Sequence, residues 1–414
     1  MKIVNFKDIP ESWFNRSNIE VPGGVRQILK DVRERGDEAV REYSQQFDGF
    51  SGSDFIVKEE EIKQAYEKVD GELVQALKKA ATNIESFARL QMSMFQTKEM
   101  KTEFGIIGHK IIPLQRVGCY VPGGNYPLPS TALMTVIPAR VAGVKEIIVC
   151  SPKIKSETIV AADIAGATKI LRIGGVQAIG ALAYGTESIP QVDKIVGPGN
   201  KYVTAAKREV YGKVGIDFLA GPSEVMVVTD CTADPRLVAA DLLAQAEHDV
   251  NAEANAIVCC NKLGKKILNE LEYQLSSLAT HEIAKESIAQ GMIIVCPKLQ
   301  GVETIVNQKA PEHLELMVED PNMILEKITN FGSLFIGNAS AEVFGDYCSG
   351  PNHVLPTDGV ARYTGGLSVK DFIKIVTFQE IRNPTELIEI SSLIAKSEGL
   401  DGHRKAALSR LHNL

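Results

Sequence analysis

Gln245 and His248, within the stretch Gln-Ala-Glu-His-Asp at 245–249, pose the first chemical question of this chain. A glutamine and a histidine three residues apart on a helix can point an amide oxygen and an imidazole nitrogen at one spot. That arrangement suits a metal ligand pair or a substrate clamp. Taken alone, two such residues are read more simply as a polar helix edge. A second pair follows Pro311, where Glu312 and His313 are adjacent. Proline fixes its own φ and stiffens the turn that presents them. The pair supplies two bases of different strength, with ordinary pKa values near 4 and 6.5. A surface turn is the plain alternative. Asp346 and His353 share a glycine- and proline-rich segment, Gly-Asp-Tyr-Cys-Ser-Gly-Pro-Asn-His, expected not to be regular helix and read either as a functional or as a connecting loop. Near the C-terminus, Glu398 and His403 stand five apart, most simply on a helix edge. Ser223 follows Gly-Pro at the start of an apolar run, more as a turn donor than as a nucleophile, since no G-x-S-x-G elbow surrounds it.

These clusters make sense together as one inventory. Glutamine, histidine and aspartate offer nitrogen and oxygen donors without thiolate. That set suits a divalent cation of borderline hardness, with zinc first and manganese or cobalt as substitutes. His109, His281 and His412 have no partner motif and are expected to be structural or exposed.

The elements that must hold these residues follow from periodicity. Asp234-Pro235 is an N-cap followed by an N1 proline, and Val238, Ala239, Leu242, Leu243 and Ala246 recur at helical spacing. Asp241, Gln245 and His248 then fall beside that stripe. The stretches 23–47 and 59–90 read as charged amphipathic helices, and residues 1–20 as an irregular arm. From about 115, short β-branched runs alternate with glycine or proline turns and helical stretches at a period of roughly 25 residues, the pattern of βαβ units in a doubly wound parallel sheet. The alternation resumes after Gly-Pro-Ser-Glu-Val, predicting a second α/β layer built partly from the N-terminal helices. No GxGxxG follows a strand. Three glycine turns, Tyr-Val-Pro-Gly-Gly, Ile-Gly-Gly-Val-Gln-Ala and Val-Gly-Pro-Gly-Asn, nevertheless end predicted strands. In open α/β sheets that edge binds ligands, and glycine turns into helices offer N–H groups to phosphate. A loosely held dinucleotide fits, and so does structural punctuation.

A length of 414 residues calls for two or more domains. Apolar residues at 44% with 23% charged describe a globular protein, and a net charge of −7 argues against nucleic acid or an anionic membrane as main partner. Seven cysteines without a CxxC pair, two of them adjacent at 259 and 260, suggest free thiols in a reducing compartment. The N-terminus has no apolar signal core and no run approaches a membrane span, so a cytoplasmic location is expected.

In order along the chain, GPGNKYVTAAKREV, GIDFLAGPSEV, LLAQAEHD, APEHLEL, GDYCSGPNHVLPT, GLSVKDF and EGLDGHRKA resemble the motifs of histidinol dehydrogenase, over roughly residues 20–410. The resemblance implies oxidation of L-histidinol to L-histidine, the last steps of histidine biosynthesis, in two hydride transfers to NAD with one zinc ion per subunit. It also implies a homodimer of two incomplete Rossmann-like parallel-sheet domains, with an N-terminal helical arm and a C-terminal tail that crosses to the partner subunit. Mapped here, residues 1–20 would be the arm. Residues 21–115 with 228–365 would form the α/β domain carrying most zinc and catalytic residues. Residues 116–227 would bind NAD, and 366–414 would be the tail.

By the same resemblance, Gln245, His248, Asp346 and His403 are the zinc ligands, with His403 supplied by the neighbouring subunit. Ser223 and Glu398, with His313 and the ligands, contact substrate. Tyr120, Gln177 and Asn200 contact NAD. His313 is the base for hydride transfer and Glu312 activates water. His353 would bind substrate or orient a base. Cys348, between Asp346 and His353, invites a thiohemiacetal route, but hydration is preferred because the motif does not require that cysteine. Gly402 stands where the family often has alanine. Competing readings are a dehydrogenase of another polar alcohol such as a sulfonated diol, a zinc hydrolase using Glu312, and a non-catalytic metal or nucleotide sensor. Glu398 and His403 favour a cationic amino alcohol over a sulfonate.

Overall fold

The computed structural model describes residues 1–15, 21–52, 54–123 and 127–413; part of the N-terminal arm and of the Tyr-Val-Pro-Gly-Gly turn lies outside these, as does the side chain of His412. Two parallel sheets carry the fold. The first has the order β6-β5-β4-β7-β8, from Lys169–Leu171 (β6), Glu146–Cys150 (β5), Arg116–Tyr120 (β4), Lys194–Val196 (β7) and Gly215–Ile216 (β8). The second has the order β1-β11-β10-β9-β12-β13, from Lys2–Asn5 (β1), Met292–Val295 (β11), Glu253–Val258 (β10), Glu224–Thr229 (β9), His313–Met317 (β12) and Ser333–Ile336 (β13). Every pairing within these two sheets is parallel.

Each sheet is covered on both faces, as its continuous apolar strands require. Alternation along β9 shows this directly. Val225 and Val227 join the cluster beneath helices Pro235–Ala246, Asn261–Leu275 and His281–Gln290, while Met226 and Val228 join the cluster on the opposite face with Val302, Ile305 and Val306. The doubly wound α/β architecture expected from the 25-residue period is therefore what the chain forms.

The N-terminal helices do not build the second sheet's layer. Helix Val25–Arg35 buries Val25, Ile28, Leu29 and Val32 at helical spacing and packs on helix Gly175–Tyr184 of the first sheet. A Cβ on Gly180 would stand 3.2 Å from Val32 and 3.3 Å from Leu29, so glycine sets the spacing of the two helices. Helix Gly71–Met92 packs on Pro129–Ala142, covering the other face. These amphipathic helices therefore cover the faces of the sheet of 116–216.

Strands also form near both termini. Part of the irregular arm is strand β1, which pairs with β11 at the edge of the second sheet. Lys98–Thr102 (β2) and Gly105–Pro113 (β3) form a small antiparallel sheet with Ile373–Ile381 (β14), so the tail is tied to its own chain by nine register pairs. Helices Thr385–Ser397 and Asp401–Leu408 follow it. The thiol expectation also changes: Cys231 and Cys259, brought side by side by adjacent strands, form a disulfide, and the other five cysteines are free. Among the described residues no helix is long and apolar enough to cross a membrane.

Candidate active site

The carboxyl edge of the first sheet faces the amino edge of the second, because the chain leaves β8 at Ile216 and enters β9 at Glu224 after a seven-residue crossing. Gly221 N–H donates to Thr357 Oγ1 and Asp358 N–H to Glu224 Oε1 (2.6 Å), so the loop after His353 closes over this seam. The candidate residues gather there.

β12 and β9 are in register with His313 opposite Val225, which sets Glu312 level with Glu224. Glu224 N–H donates to Glu312 Oε2 at 2.8 Å, and His313 Nδ1 lies 3.1 Å from the Glu224 carbonyl oxygen. A carbonyl only accepts, so Nδ1 carries the proton and Nε2 is left with its lone pair. Both side chains are buried, which removes the surface-turn alternative for this pair. Burial lowers the His313 pKa to about 4 and raises that of Glu312 well above the usual carboxylate range. His313 is therefore neutral and able to accept a proton.

His313 Nε2 stands 3.7 Å from Asp346 Oδ1, and His248 Nε2 stands 3.7 Å from Asp346 Oδ2. Burial opposes ionisation of Asp346, but His248 and the other imidazoles outweigh it and hold the carboxyl below its usual range. Contact with Asp346 raises His248 in turn. Asp346 sits in the last turn of the short helix Glu342–Tyr347, not in irregular loop as its glycine suggested. Gly345 is there for space, since a Cβ would meet the Phe335 ring at 2.7 Å. The irregular part begins at Cys348, whose thiol is exposed. His353 Nδ1 is bonded to the Asp346 carbonyl at 2.7 Å and its Nε2 lies 3.3 Å from Thr131 Oγ1, so it bridges the seam to helix Pro129–Ala142.

Helix Pro235–Ala246 starts where its cap signal placed it, with Asp234 accepting from Arg236 N–H. It ends earlier than expected. Glu247 is the C-cap and His248 lies beyond it, because Asp249 folds back to accept from Asn251 N–H. Gln245 is fully buried in the last turn. The orientation that satisfies its neighbours has its Nε2 donating to Glu342 Oε1 at 2.5 Å and its Oε1 accepting from Glu224 N–H at 3.3 Å.

The sequence reading missed a set of buried carboxylates behind this surface: Glu224, Glu315 and Glu342, with Asp241 beside them. Burial raises Glu224 to about 7, Asp241 to about 6 and Glu315 to about 9, and lifts Glu342 strongly as well. The available signal was a glutamate between two leucines in the strand His-Leu-Glu-Leu-Met, at a position that has no route to solvent. Donor atoms of His248, Glu342 and Asp346 lie within 4.8 Å of one another, a spacing that could hold a metal ion. Half-buried Ser223 immediately precedes Glu224 on the same edge.

His403 and Glu398 are not brought to this cluster within one chain. His403 is exposed on helix Asp401–Leu408, and Glu398 is the exposed C-cap of Thr385–Ser397. His109 is bonded to the Gln96 carbonyl at 2.9 Å, and His281 opens a helix beside Glu282, so both are structural or surface residues as expected.

On the first sheet, Tyr120 ends β4 with its hydroxyl accepting from Gly175 N–H at 3.1 Å. Gln177, in the first turn of helix Gly175–Tyr184, is fully buried, and both its amide atoms lack a hydrogen-bond partner among the described residues. Asn200 caps helix Lys201–Val210, its Oδ1 accepting from Tyr202 and Val203 N–H. Gly197, after β7, has φ of +111°, and a Cβ there would lie 2.1 Å from the Tyr120 carbonyl oxygen.

Two parallel sheets meet edge to edge over a cluster of imidazoles and carboxylates, an α/β architecture with titratable groups gathered at its seam. The family model described as histidinol dehydrogenase matches residues 14–411. A histidinol dehydrogenase of Methanocaldococcus jannaschii is 44% identical over 405 residues, which cover 96% of this chain and 94% of that one. One of Thermus thermophilus is 45% identical over 391 residues, covering 92% of each. The crystal structure of histidinol dehydrogenase from Elizabethkingia anophelis agrees with a TM-score of 0.94 at 37% identity, covering 100% of this chain and 98% of that one. The chain belongs to the histidinol dehydrogenase family, a family of oxidoreductases.

Proposed function

We propose that the chain oxidises L-histidinol to L-histidine in two successive hydride transfers to NAD, with a zinc ion in the seam. The observation that carries the reading is His313, buried and neutral, with Nδ1 committed to a carbonyl beside Glu312 and Nε2 facing Asp346, which His248 also flanks.

The residues present fit both cofactors. His248 and Asp346 offer nitrogen and oxygen donors suited to zinc and lie together with Glu342; Gln245, whose amide bonds Glu342 and Glu224, and His403 of a second copy would complete four. The unpartnered amide of Gln177 at the carboxyl edge of the first sheet, with Tyr120 and Asn200 on neighbouring turns, fits a polar cofactor such as NAD. When bound, zinc would act as Lewis acid and template for the substrate's imidazole and amine, and NAD would accept the hydrides.

The remaining chemistry belongs to side chains. His313 Nε2 takes the hydroxyl proton as the carbinol carbon loses hydride, leaving the aldehyde. Glu312, a strong base once ionised because its site resists charge, takes a proton from the water that adds to the carbonyl. His313, having released its first proton, takes a proton from the hydrate in the second oxidation. Glu398 would oppose the substrate's cationic amine and Ser223 would bind its polar atoms. Apolar side chains on the tail helix, Ile390, Leu393 and Ile394, are about half exposed or more, which supports a homodimer in which the tail of one copy reaches the other's site.

The test is NADH formed per L-histidinol consumed by the purified, zinc-loaded protein. Two NADH per substrate, lost with a chelator and restored by zinc, is the expected result. No NADH from histidinol with zinc bound would overturn the reading and turn attention to other polar alcohols.

A further inference from the structure

The second sheet has another edge. Its acid–base pair lies where β9 and β12 begin; β9 and β10 end about 20 Å away, six residues of strand later. At that carboxyl edge the two parallel neighbours release the chain in register, Val228 beside Ile257. Cys231 follows β9 by two residues, and Cys259 and Cys260 follow β10 directly. The sulfurs of all three lie within 4.8 Å of one another. For three sulfurs around a zinc-sized ion at about 2.3 Å each, the expected separation is about 3.8 Å, so small side-chain rotations suffice.

The surroundings prepare the cluster. Asp230 accepts from Thr232 N–H at 2.8 Å and from its hydroxyl at 2.5 Å, which fixes the turn presenting Cys231. Its other oxygen accepts from Glu319 N–H, anchoring that turn to the end of β12's strand segment. Cys260 is the N-cap residue of the 15-residue helix Asn261–Leu275, yet its side chain makes no capping bond. Its thiol is thus left uncommitted by capping at the N-terminus of that helix. Cys231 is exposed and the other two are half-buried, so an ion can enter from solvent.

We propose that Cys231, Cys259 and Cys260, as thiolates, form a second cation site, for a thiophilic closed-shell ion of the zinc or cadmium class, separate from the nitrogen and oxygen donors of the seam. Binding transfers no electrons; each thiol that ligates releases its proton. The Cys231–Cys259 disulfide is the oxidised form of the same site. A phosphine reductant converts it to two thiols, the phosphine becoming its oxide with oxygen from water, and so opens the site. The disulfide form leaves Cys260 alone and holds no ion.

The test uses the full chain, reduced with a phosphine and titrated with cadmium, read by thiolate-to-cadmium charge-transfer absorption in the ultraviolet. The seam's donors give no such band, so the readout is independent of the catalytic proposal. The expected result is a band saturating at one cadmium per reduced chain and absent from the disulfide form. Cys231→Ser and Cys260→Ser should each abolish or strongly weaken it while leaving histidinol oxidation unchanged. No band in the reduced protein overturns the proposal. So does a band that survives in both variants, which would assign it to other thiols such as exposed Cys348.

Discussion

His313 Nδ1 is tied to the backbone carbonyl of Glu224 at 3.1 Å, so the neighbouring strand, not another side chain, decides which imidazole nitrogen is free to act. The tie comes from sheet register, with His313 opposite Val225, and it cannot be mutated away at Glu224. What can be removed is the base itself. His313→Asn is expected to lower kcat by about 10²–10⁴-fold, the usual worth of a positioned general base, with a much smaller change in KM. Steady-state kinetics on histidinol measure this, and a kcat within a fewfold of the parent would remove His313 from the reaction.

Glu312→Gln keeps an oxygen for Glu224 N–H and so should keep the fold, while losing the group that takes a proton from water. The expected outcome is slowed oxidation of supplied histidinaldehyde, with the first oxidation affected less. Equal rates on the aldehyde would mean that water adds without help from Glu312.

Because His403 stands on an exposed helix away from the seam, the two halves of the proposed metal site should complement across copies. His403→Asn alone should purify folded with reduced zinc content, and His248→Asn likewise. Co-expressed at equal levels, the two variants should recover roughly a quarter of parental activity, since half of the dimers are mixed and each mixed dimer has one intact site. No recovery above the single variants would show that His403 serves its own chain or none.

Stability offers a separate check on how the N-terminal helices cover the first sheet. Glu85 on helix Gly71–Met92 accepts from Arg140 at 2.7 Å and also from Arg89. Arg140 first and Arg89 second hold its carboxyl below the ordinary 4.5. A carboxylate depressed on folding stabilises fully above its unfolded pKa and loses that contribution as pH falls through the folded value. Glu85→Gln should therefore cost about 0.5–1 kcal/mol near pH 7, and the difference should narrow as the pH falls below about 4.5. Urea midpoints at equal protein concentration measure it; a difference constant across that range would exclude the ion pair as its source.

How much of this was written in the sequence depends on the range of the interaction. The cap Asp234-Pro235 acts within one turn, and the start of its helix was legible. So was the parallel alternation, because strands buried on both faces must read as continuous apolar runs. Where that helix stops was not legible, because the stop depends on Asp249 turning back on Asn251 rather than on the apolar stripe. Nor was the partner of helices 25–92: an amphipathic stripe states that a face is buried and not against which sheet. Glu312 and His313 could be read as a pair of bases, whereas Glu224 and Glu342 could not be recognised, since their place behind the pair exists only once β9 lies beside β12. The disulfide was invisible for the same reason, its two cysteines standing 28 residues apart and meeting only through adjacent strands.

Strand β1 has one more consequence, for the order in which the chain is made. Residues 2–5 pair with β11, some 290 residues later, and β12 and β13 come after that. At ordinary elongation rates the first strand leaves the ribosome roughly fifteen seconds to a minute before the sheet it borders is fully synthesised. The first sheet, with its helices already in hand, is complete by Ile216 and free to fold during that interval. During synthesis, the sheet that carries the acid–base pair is the last to close, and its earliest strand waits on a tether for the rest.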